Sequence, residues 1–273
     1  MPSVKVSPSQ GVIARLSAIE RLGQADETDS ARSALTGDTK KDQGRSSQVR
    51  RGPYPKFAIR DGGGRVNAIM TSAVPYALSF TSGSLLIAEA NVVVPIYLRE
   101  RNWGRVRALV EEDNLLQART AASALRRARE ITQRLSLMSD DELEVMADAS
   151  SGERAPLLWA AACRRYLLIG EFAEEVLRER FLTFAETVTY DDFDAFLLSK
   201  AIWHDEIAEL KESTTRKLRA NVFRMMREAG LLEADGHVIA AVLSDRVTKL
   251  MDARTPSDLR FFPARQAARG SKV

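Results

Sequence analysis

The sequence predicts an all-α protein: a multi-helix bundle followed by a winged-helix-like segment with one short β-hairpin. Three observations support this class. Apolar residues recur at helical spacing almost without a break from Leu78 onward. Capping sequences such as Ser139-Asp140-Asp141-Glu142 separate the periodic stretches. Near the C-terminal end, Asp235-Gly236 is a strong tight-turn signal between two short apolar pieces.

We divide the 273 residues into four regions. Residues 1–73 are predicted to be a basic, mostly disordered leader, because they hold 8 of the 15 glycines and only 11 residues, Val12–Leu22, show helical periodicity. The alternative is that the start codon is misassigned and that translation begins at Met70. Residues 74–185 form the predicted bundle, 186–263 the winged-helix-like segment and 264–273 a basic tail. The leader contains 12 Lys+Arg and 7 Asp+Glu, a net charge of +5, so the overall net charge of +3 leaves −2 for residues 74–273. The basic pI is therefore mostly a property of the leader and does not prove that the folded part binds nucleic acid.

The bundle is predicted to contain six helices. The first runs from Phe80-Thr81-Ser82-Gly83 to about Arg99, and Pro156 is placed in the first turn of the fifth, where proline is tolerated. Gly170 is predicted to end that fifth helix. The other boundaries are Trp103–Glu112, Asn114–Leu135, Ser139 to about Ala149, Glu153–Ile169 and Phe172–Phe184.

The second half has the element order of a winged helix-turn-helix. Thr189 caps a predicted helix Tyr190–Ala201, and a short helix Asp205–Leu210 follows. Ser213 caps a longer helix that ends at Gly230, and the Asp235-Gly236 hairpin comes next. A last helix runs from Ser244 to about Asp252.

Composition and motifs argue against an enzyme. The chain has one cysteine and two histidines, too few for a disulfide framework or a structural zinc site. Cys163 lies in an apolar helix and is expected to be a buried structural thiol, and His204 is expected to be a helix-start residue. Gly62-Gly63-Gly64 lacks the lysine and flanking elements of a phosphate loop. We predict no catalytic residue, metal, cofactor or small-molecule substrate.

No apolar run approaches the ~18 residues of a membrane span, and MPSVKVSPSQ lacks a signal-peptide core. A cytoplasmic protein without membrane contact is therefore predicted.

Two helices carry nearly single-sign basic faces. At ~100° per residue, the residues after Ser213 separate into an apolar side and an arginine side, and the helix after Asn114 repeats the arrangement. Such faces are often only solvated surface, but the planar arginine fork suits phosphates and guanine edges. The predicted DNA-binding residues are Arg119, Arg126, Arg127 and Arg134 on the earlier helix, Arg216, Lys217, Arg219, Arg224 and Arg227 on the later one, and the hairpin residue His237.

Acidic residues are concentrated elsewhere. Glu186–Glu212 holds eight acids and two lysines, and Asp140–Asp148 holds five acids and no base. These stretches would repel DNA, so they are candidates for a protein interface or simply solvated helix ends. Asp191, Asp192 and Asp194 are the predicted partner-binding residues. A metal there is disfavoured, since acids in a first helical turn favour the helix dipole.

The chain resembles the BrxA family of BREX phage-defence proteins. The resemblance covers roughly 78–264 and rests on LSFTSGSLL (78–86), NLLQART (114–120), LLWAAACRRYLLIGEFAEEVLRERFL (157–182), YDDFDAF (190–196) and STTRKLRANVFRMMREAGLL (213–232), with Val242-Leu243-Ser244 and Phe261-Phe262-Pro263 near the end. The leader is not part of the family pattern.

The resemblance implies a small helical component of a BREX operon, similar in fold to NusB-type antitermination factors and associated with double-stranded DNA. Such proteins act beside other BREX subunits, among them a methyltransferase and an ATPase. We therefore expect a non-enzymatic accessory subunit that binds duplex DNA through its arginine-rich helix faces. The alternative is an assembly subunit without a direct nucleic-acid role. RNA binding rests on fold analogy alone, and few exposed aromatic residues are available to stack bases.

Overall fold

The computed structural model describes residues 75–80 and 83–265 of the chain. The predicted leader, with Val12–Leu22, and most of the predicted tail lie outside these residues. Every described residue belongs to one compact unit of the chain. Its first helices are α1 (Ile87–Glu100), α2 (Trp103–Glu112), α3 (Ala121–Leu135), α4 (Asp140–Asp148) and α5 (Ser151–Arg165).

The remaining elements follow in an equally helical order. They are α6 (Leu167–Phe172), a π-helical turn (Ala173–Arg178), α7 (Glu179–Leu182), α8 (Tyr190–Ala201), α9 (Asp205–Ala208), α10 (Glu212–Glu228), α11 (Asp245–Asp252) and a 3₁₀ turn (Asp258–Phe261). No helix in the described part of the chain combines the length and apolar composition needed to cross a bilayer.

Several helix starts are where the capping sequences predict them. The Ser139 and Thr189 side chains accept hydrogen bonds from the backbone N–H groups of Glu142 and Asp192. Each acid side chain in turn accepts a hydrogen bond from the backbone N–H of its N-cap residue, which completes a capping box. Ser244 caps α11 in the same way through the N–H of Val247. Local side-chain chemistry decides these ends, so the sequence alone suffices to predict them.

The predicted start of the third bundle helix is wrong. The helix predicted from Asn114 begins only at Ala121, because Asn114 and Gln117 adopt positive φ angles of 46° and 49°. The Asn114 side chain also accepts the Ala118 N–H at 3.0 Å, which stabilises the turn instead of a helix. Arg119 therefore lies before α3.

The helix predicted over 153–169 also has different ends. It begins at Ser151, with a capping box between Ser150 and Glu153, so that Pro156 lies beyond the first turn. The break comes at Tyr166, whose backbone is extended, and Gly170 lies inside α6. A Cβ atom at Gly170 would be 3.0 Å from the Cys163 carbonyl oxygen, so this glycine permits close packing of α6 on α5.

The second half keeps the predicted order with one shifted start. Helix α10 begins at Glu212 with Lys211 as its N-cap, so Ser213 is not the cap. Gly230 follows its end with φ of 70°, as expected for a residue that closes a helix. The Asp235-Gly236 turn is present, with Gly236 at φ of 94°.

Within the described residues, β structure is limited to two isolated bridges, Leu232 with Val238 and Thr187 with His237. The predicted hairpin therefore contains one bridged residue pair, Leu232 with Val238. His237, next to Val238, is bridged to Thr187 in the segment before α8.

One hydrophobic core joins the two predicted folded regions. The Phe172 ring lies 5.1 Å from that of Phe193 and 5.3 Å from that of Phe196, so residues on both sides of position 185 share contacts. Trp159 is fully buried and donates its indole N–H to the Phe261 carbonyl oxygen at 2.9 Å. The C-terminal 3₁₀ turn is thereby held against α5.

Candidate nucleic-acid interface

Helix α10 divides into a buried and a charged side as its sequence predicts. Its apolar residues Leu218, Val222, Met225, Met226 and Ala229 are all buried. Arg216, Lys217, Arg224 and Arg227 are all exposed. The spacing of lysine and arginine therefore produces a basic surface on this helix.

Helix α3 follows the prediction less closely. Ala124, Ala128, Ile131 and Leu135 are buried, whereas Leu125 is 43% exposed. Ala121 is also exposed, so the apolar stripe is narrower than predicted. Arg126, Arg127 and Arg129 are exposed, and Arg134 is not.

Four basic side chains, two from α3 and two from α10, line one shared groove. The groove has a volume of about 810 Å³. Arg126 and Arg127 come from α3, and Lys217 and Arg224 come from α10. The other lining residues are Ser84, Leu86, Ile87, Ala88, Glu89, Ser123 and Glu228. Residues nearly a hundred positions apart in sequence thus form a single basic concave surface.

Two of the four groove cations have carboxylate neighbours. Arg127 lies 3.7 Å from Glu89, and Arg224 donates to Glu228 at 2.9 Å. Arg126 and Lys217 have no ion pair with any residue that the structure describes. Four cations against two carboxylates leave the groove with a formal charge of +2, which favours an anionic ligand.

The floor of the groove is the segment that enters α1. Asn221 donates to the Phe80 carbonyl oxygen at 2.9 Å, and the Leu85 N–H donates to Glu228 at 2.7 Å. Gly83 packs so closely on Asn221 that a Cβ atom would lie 2.4 Å from its Oδ1 atom. These contacts to α10 hold the floor at a defined depth.

Arg134 supports this floor from beneath. Its side chain is fully buried and donates to the Ser84 carbonyl oxygen at 2.7 Å and to Glu130 at 2.8 Å. Tyr166 donates to the same Glu130 carboxylate at 2.6 Å. The prediction that Arg134 faces solvent with the other arginines is wrong, because α3 packs this side onto α5 and the α1 entry. Periodicity does not reveal it, since a buried ion pair and an exposed arginine look alike in sequence.

The remaining predicted DNA-binding residues lie outside the groove lining. Arg219 pairs with Asp194 and stacks over the Tyr190 ring at 4.6 Å. Arg216 lies 3.5 Å from Glu212 on its own helix. Arg119, Arg227 and His237 are exposed.

The three predicted partner-binding aspartates have unequal surroundings. Asp192 completes the α8 capping box and pairs with Arg180. Asp194 pairs with Arg219, so only Asp191 is exposed without an ion pair among the described residues. No group of three or more metal-ligating side chains occurs in the part of the chain that is described.

Cys163 and His204 have structural surroundings. Cys163 is a free, buried thiol, and burial raises its pKa well above the ordinary value, so it is a poor nucleophile. The His204 ring packs against the Tyr76 ring at an angle of 35°, with ring centroids 4.2 Å apart, and contacts Glu206 at 3.0 Å. Glu206 also accepts the Tyr76 backbone N–H at 2.7 Å, which anchors the start of the described chain on α9.

Comparison with known proteins identifies relatives over most of the described chain. A sequence model of the BrxA family matches residues 74–255. The BREX protein BrxA of Paramagnetospirillum magneticum is 25% identical over 157 residues, 58% of this chain and 79% of the relative. The BREX protein BrxA of Escherichia coli O9:H4 is 24% identical over 151 residues, 55% of this chain and 71% of the relative.

A solved structure has a similar fold. The crystal structure of an uncharacterized protein from Magnetospirillum magneticum aligns with a TM-score of 0.58 at 21% identity, over 68% of this chain and 97% of that protein.

Proposed function

The chain belongs to the BrxA family, which makes it a component of a BREX phage-defence system, and we propose that it is a non-enzymatic accessory subunit. In this proposal it binds duplex DNA along the groove between α3 and α10. The observation that carries the proposal is the convergence of Arg126, Arg127, Lys217 and Arg224 on one concave surface. Lys217 and Arg224 are seven residues apart, about 10 Å along the helix axis. That length matches several DNA phosphates, of which duplex DNA carries one per ~1.7 Å of axis.

The entry to α1 adds to the attraction for phosphate. The first turn of α1 lines the groove, and its N-cap residue Leu86 makes no side-chain cap. Free N–H groups and the positive end of the helix dipole favour an anion at such a position. Backbone donors and arginine side chains would therefore act on the same DNA strand.

The proposal includes the winged-helix-like character of the second half and the NusB-like character of the bundle. The order α8, α9, α10 and the turn at Gly236 supports a winged-helix arrangement in which α10 would be the recognition helix. His237 is exposed at the turn and would contact the backbone as a wing residue. Arg216, Arg227, Arg119 and Arg129 would extend the phosphate contacts beyond the groove. Arg219, held by Asp194, would contribute less.

Affinity in this proposal comes mainly from phosphate neutralisation, which carries little sequence information. Sequence specificity would then come from a partner such as the methyltransferase. The cytoplasmic location stays a prediction.

A salt-dependent titration of labelled duplex DNA tests the groove directly. The double variant Arg126→Glu/Lys217→Glu removes the two cations without an ion pair, one from each wall. We expect at least about a tenfold loss of affinity near physiological salt and a logarithmic salt slope shallower by about two. Duplex RNA of the same length, titrated in parallel, separates duplex DNA binding from general polyanion binding.

A matched control is the double variant Arg105→Glu/Lys249→Glu. Both residues are exposed, neither lines the groove, and the change in net charge is the same. Equal losses in the two double variants would show that the overall field and not the groove binds DNA. Absence of DNA binding by the unmodified protein would contradict the proposal and favour the assembly alternative.

The assembly alternative has one observation in its favour, the exposed Asp191 without an ion pair in the described structure. Reversing Asp192 or Asp194 would disturb the α8 cap or the Arg219 pair, so it would not report on a partner alone. Co-purification with another BREX subunit in high salt, lost in Asp191→Lys, would support this alternative.

A further inference from the structure

The end of α8 carries an exposed apolar cluster. Leu198 is 73% exposed, Ile202 73% and Trp203 79%. Leu198 and Ile202 are four residues apart and therefore lie on the same side of the helix. Single exposed apolar residues are common on protein surfaces, but three within six residues of the chain, one of them a tryptophan, are typical of interaction sites.

The cluster sits on a well-held part of the backbone. The Trp203 N–H donates to the Lys200 carbonyl oxygen at 3.0 Å. The ring of the next residue, His204, packs against the Tyr76 ring, and Glu206 accepts a hydrogen bond from the Tyr76 N–H and contacts His204. The backbone is therefore ordered before any partner arrives, so binding would cost little conformational entropy.

Carboxylates follow this cluster in sequence and line a groove beside the same helix. Asp205 and Glu209 follow Trp203, and both are exposed without an ion pair among the described residues. A groove of about 380 Å³ runs beside α8, and its lining includes the carboxylates of Glu175 and Glu179 as well as Arg180, which pairs with Asp192. Lys200 is the one basic residue in 186–210, and it is bound 2.7 Å from both Glu171 and Glu175. The rim of the cluster is therefore negative.

We propose that Leu198, Ile202 and Trp203 form a docking surface for a basic amphipathic helix of another protein. Apolar side chains of that helix would cover the cluster, and its lysine or arginine residues would pair with Asp205, Glu209 and the carboxylates of the neighbouring groove. An apolar anchor within a charged rim is a common arrangement of helix-binding surfaces.

The rim chemistry argues against the other occupants. Its carboxylates repel DNA and the anionic surface of a bilayer. A second copy of this chain in a symmetric dimer would bring the same acids face to face, which is unfavourable. A basic partner is the occupant that the charge pattern fits.

The test uses a short labelled peptide of leucine and lysine, designed so that leucine occupies one helical face, and the full-length chain. Fluorescence anisotropy measures binding, and Trp203 gives an independent signal, since its indole is exposed while Trp159 is fully buried and Trp103 stacks on Tyr97. We expect a blue shift that Trp203→Phe abolishes. We also expect Leu198→Ser/Ile202→Ser to weaken binding at least about tenfold, because two aliphatic side chains no longer become buried.

Three controls keep the result interpretable. The double variant Leu167→Ser/Val242→Ser removes exposed apolar side chains elsewhere and should bind the peptide normally. An isomer of the peptide with its leucines spread around the helix, and a version with glutamate for lysine, should both bind weakly. Asp205→Asn/Glu209→Gln should weaken binding of the original peptide and reduce its salt dependence.

Several outcomes would overturn the proposal. Equal binding of the isomer, or no effect of Leu198→Ser/Ile202→Ser, would show that the cluster does not recognise an amphipathic helix. Reversible dimerisation in sedimentation experiments, lost in that variant, would identify a second copy as the occupant. Binding to vesicles of anionic lipid, lost in the same variant, would identify a membrane. DNA affinity should be unchanged in the variant, so the result is independent of the DNA proposal.

Discussion

Two arginine-rich regions of this molecule have opposite surroundings. In the groove between α3 and α10, Arg126 is exposed and has no ion pair with a described residue. Around Glu142 on α4, Arg164 and Arg254 both bind the same carboxylate, at 2.6 Å each. Arginine content alone therefore says little about nucleic-acid binding. The carboxylates that pair with each guanidinium determine which arginines are left to bind an anion.

The Glu142 region is a buried ion-pair network. Glu142 is 1% exposed, and Arg164 also donates to Asp258 at 2.6 Å. Glu142 further accepts the Ser139 N–H at 2.7 Å as part of the capping box. This network connects α4, α5 and the C-terminal 3₁₀ turn, whereas Arg126 and Lys217 in the groove make no ion pair within the described chain.

The largest expected effect comes from breaking the network. Arg164→Ala should lower the free energy of unfolding by about 3–5 kcal/mol, because it leaves buried carboxylates without a main partner. Urea denaturation followed by circular dichroism measures this loss. The matched control is Arg107→Ala, whose 3.7 Å pair with Glu111 is solvent-exposed on the arginine side and should contribute at most about 0.5 kcal/mol. Similar losses in both variants would refute the distinction between the two kinds of arginine.

Arg134 shares a property with each region, since it is buried like the network arginines but contacts the segment that lines the groove. Arg134→Met should cost about 3 kcal/mol of stability, because Glu130 and the Ser84 carbonyl oxygen lose their donor. The salt slope of DNA binding should stay as in the unmodified protein at temperatures where the variant is folded. A slope shallower by about one would instead show that Arg134 contacts a phosphate.

The smallest expected effect is a pH dependence that only the network should show. Burial raises the pKa of Glu142, but the hydrogen bonds from Arg164 and Arg254 outweigh it and hold the pKa below its ordinary value of 4.5. Its contribution to stability is therefore complete above pH 4.5 and is lost as the pH falls through the lowered pKa.

Thermal denaturation between neutral and acidic pH measures this contribution. The stability difference between the unmodified protein and Glu142→Gln should shrink as the pH falls below 4.5. Glu112→Gln, which removes an exposed carboxylate, serves as the control for the loss of one titrating group. A difference that stays constant with pH would contradict the assigned role of Glu142.

The comparison with the structure separates what local patterns predict from what they miss. The starts of α4, α8 and α11 were predictable because one capping side chain and its nearest backbone neighbours decide them. The start of α3 was not, since it depends on positive φ angles at Asn114 and Gln117, residues that also occur in helices. The exposure of Leu198, Ile202 and Trp203 was missed for a different reason. Apolar residues have the same helical spacing whether or not another part of the chain packs over them.

By itself the sequence determined the helical class, the element order, the buried side of α10 and the family. These follow from side-chain spacing and capping, which act over a few residues. Only the tertiary structure decided that Arg126 and Lys217 share a groove, that Arg134 is its buried support, and that Glu142 belongs to the core and not to an acidic surface. The reason is that a charged side chain has the same periodicity whether water or an opposite charge surrounds it, and packing of distant helices determines which of the two it meets.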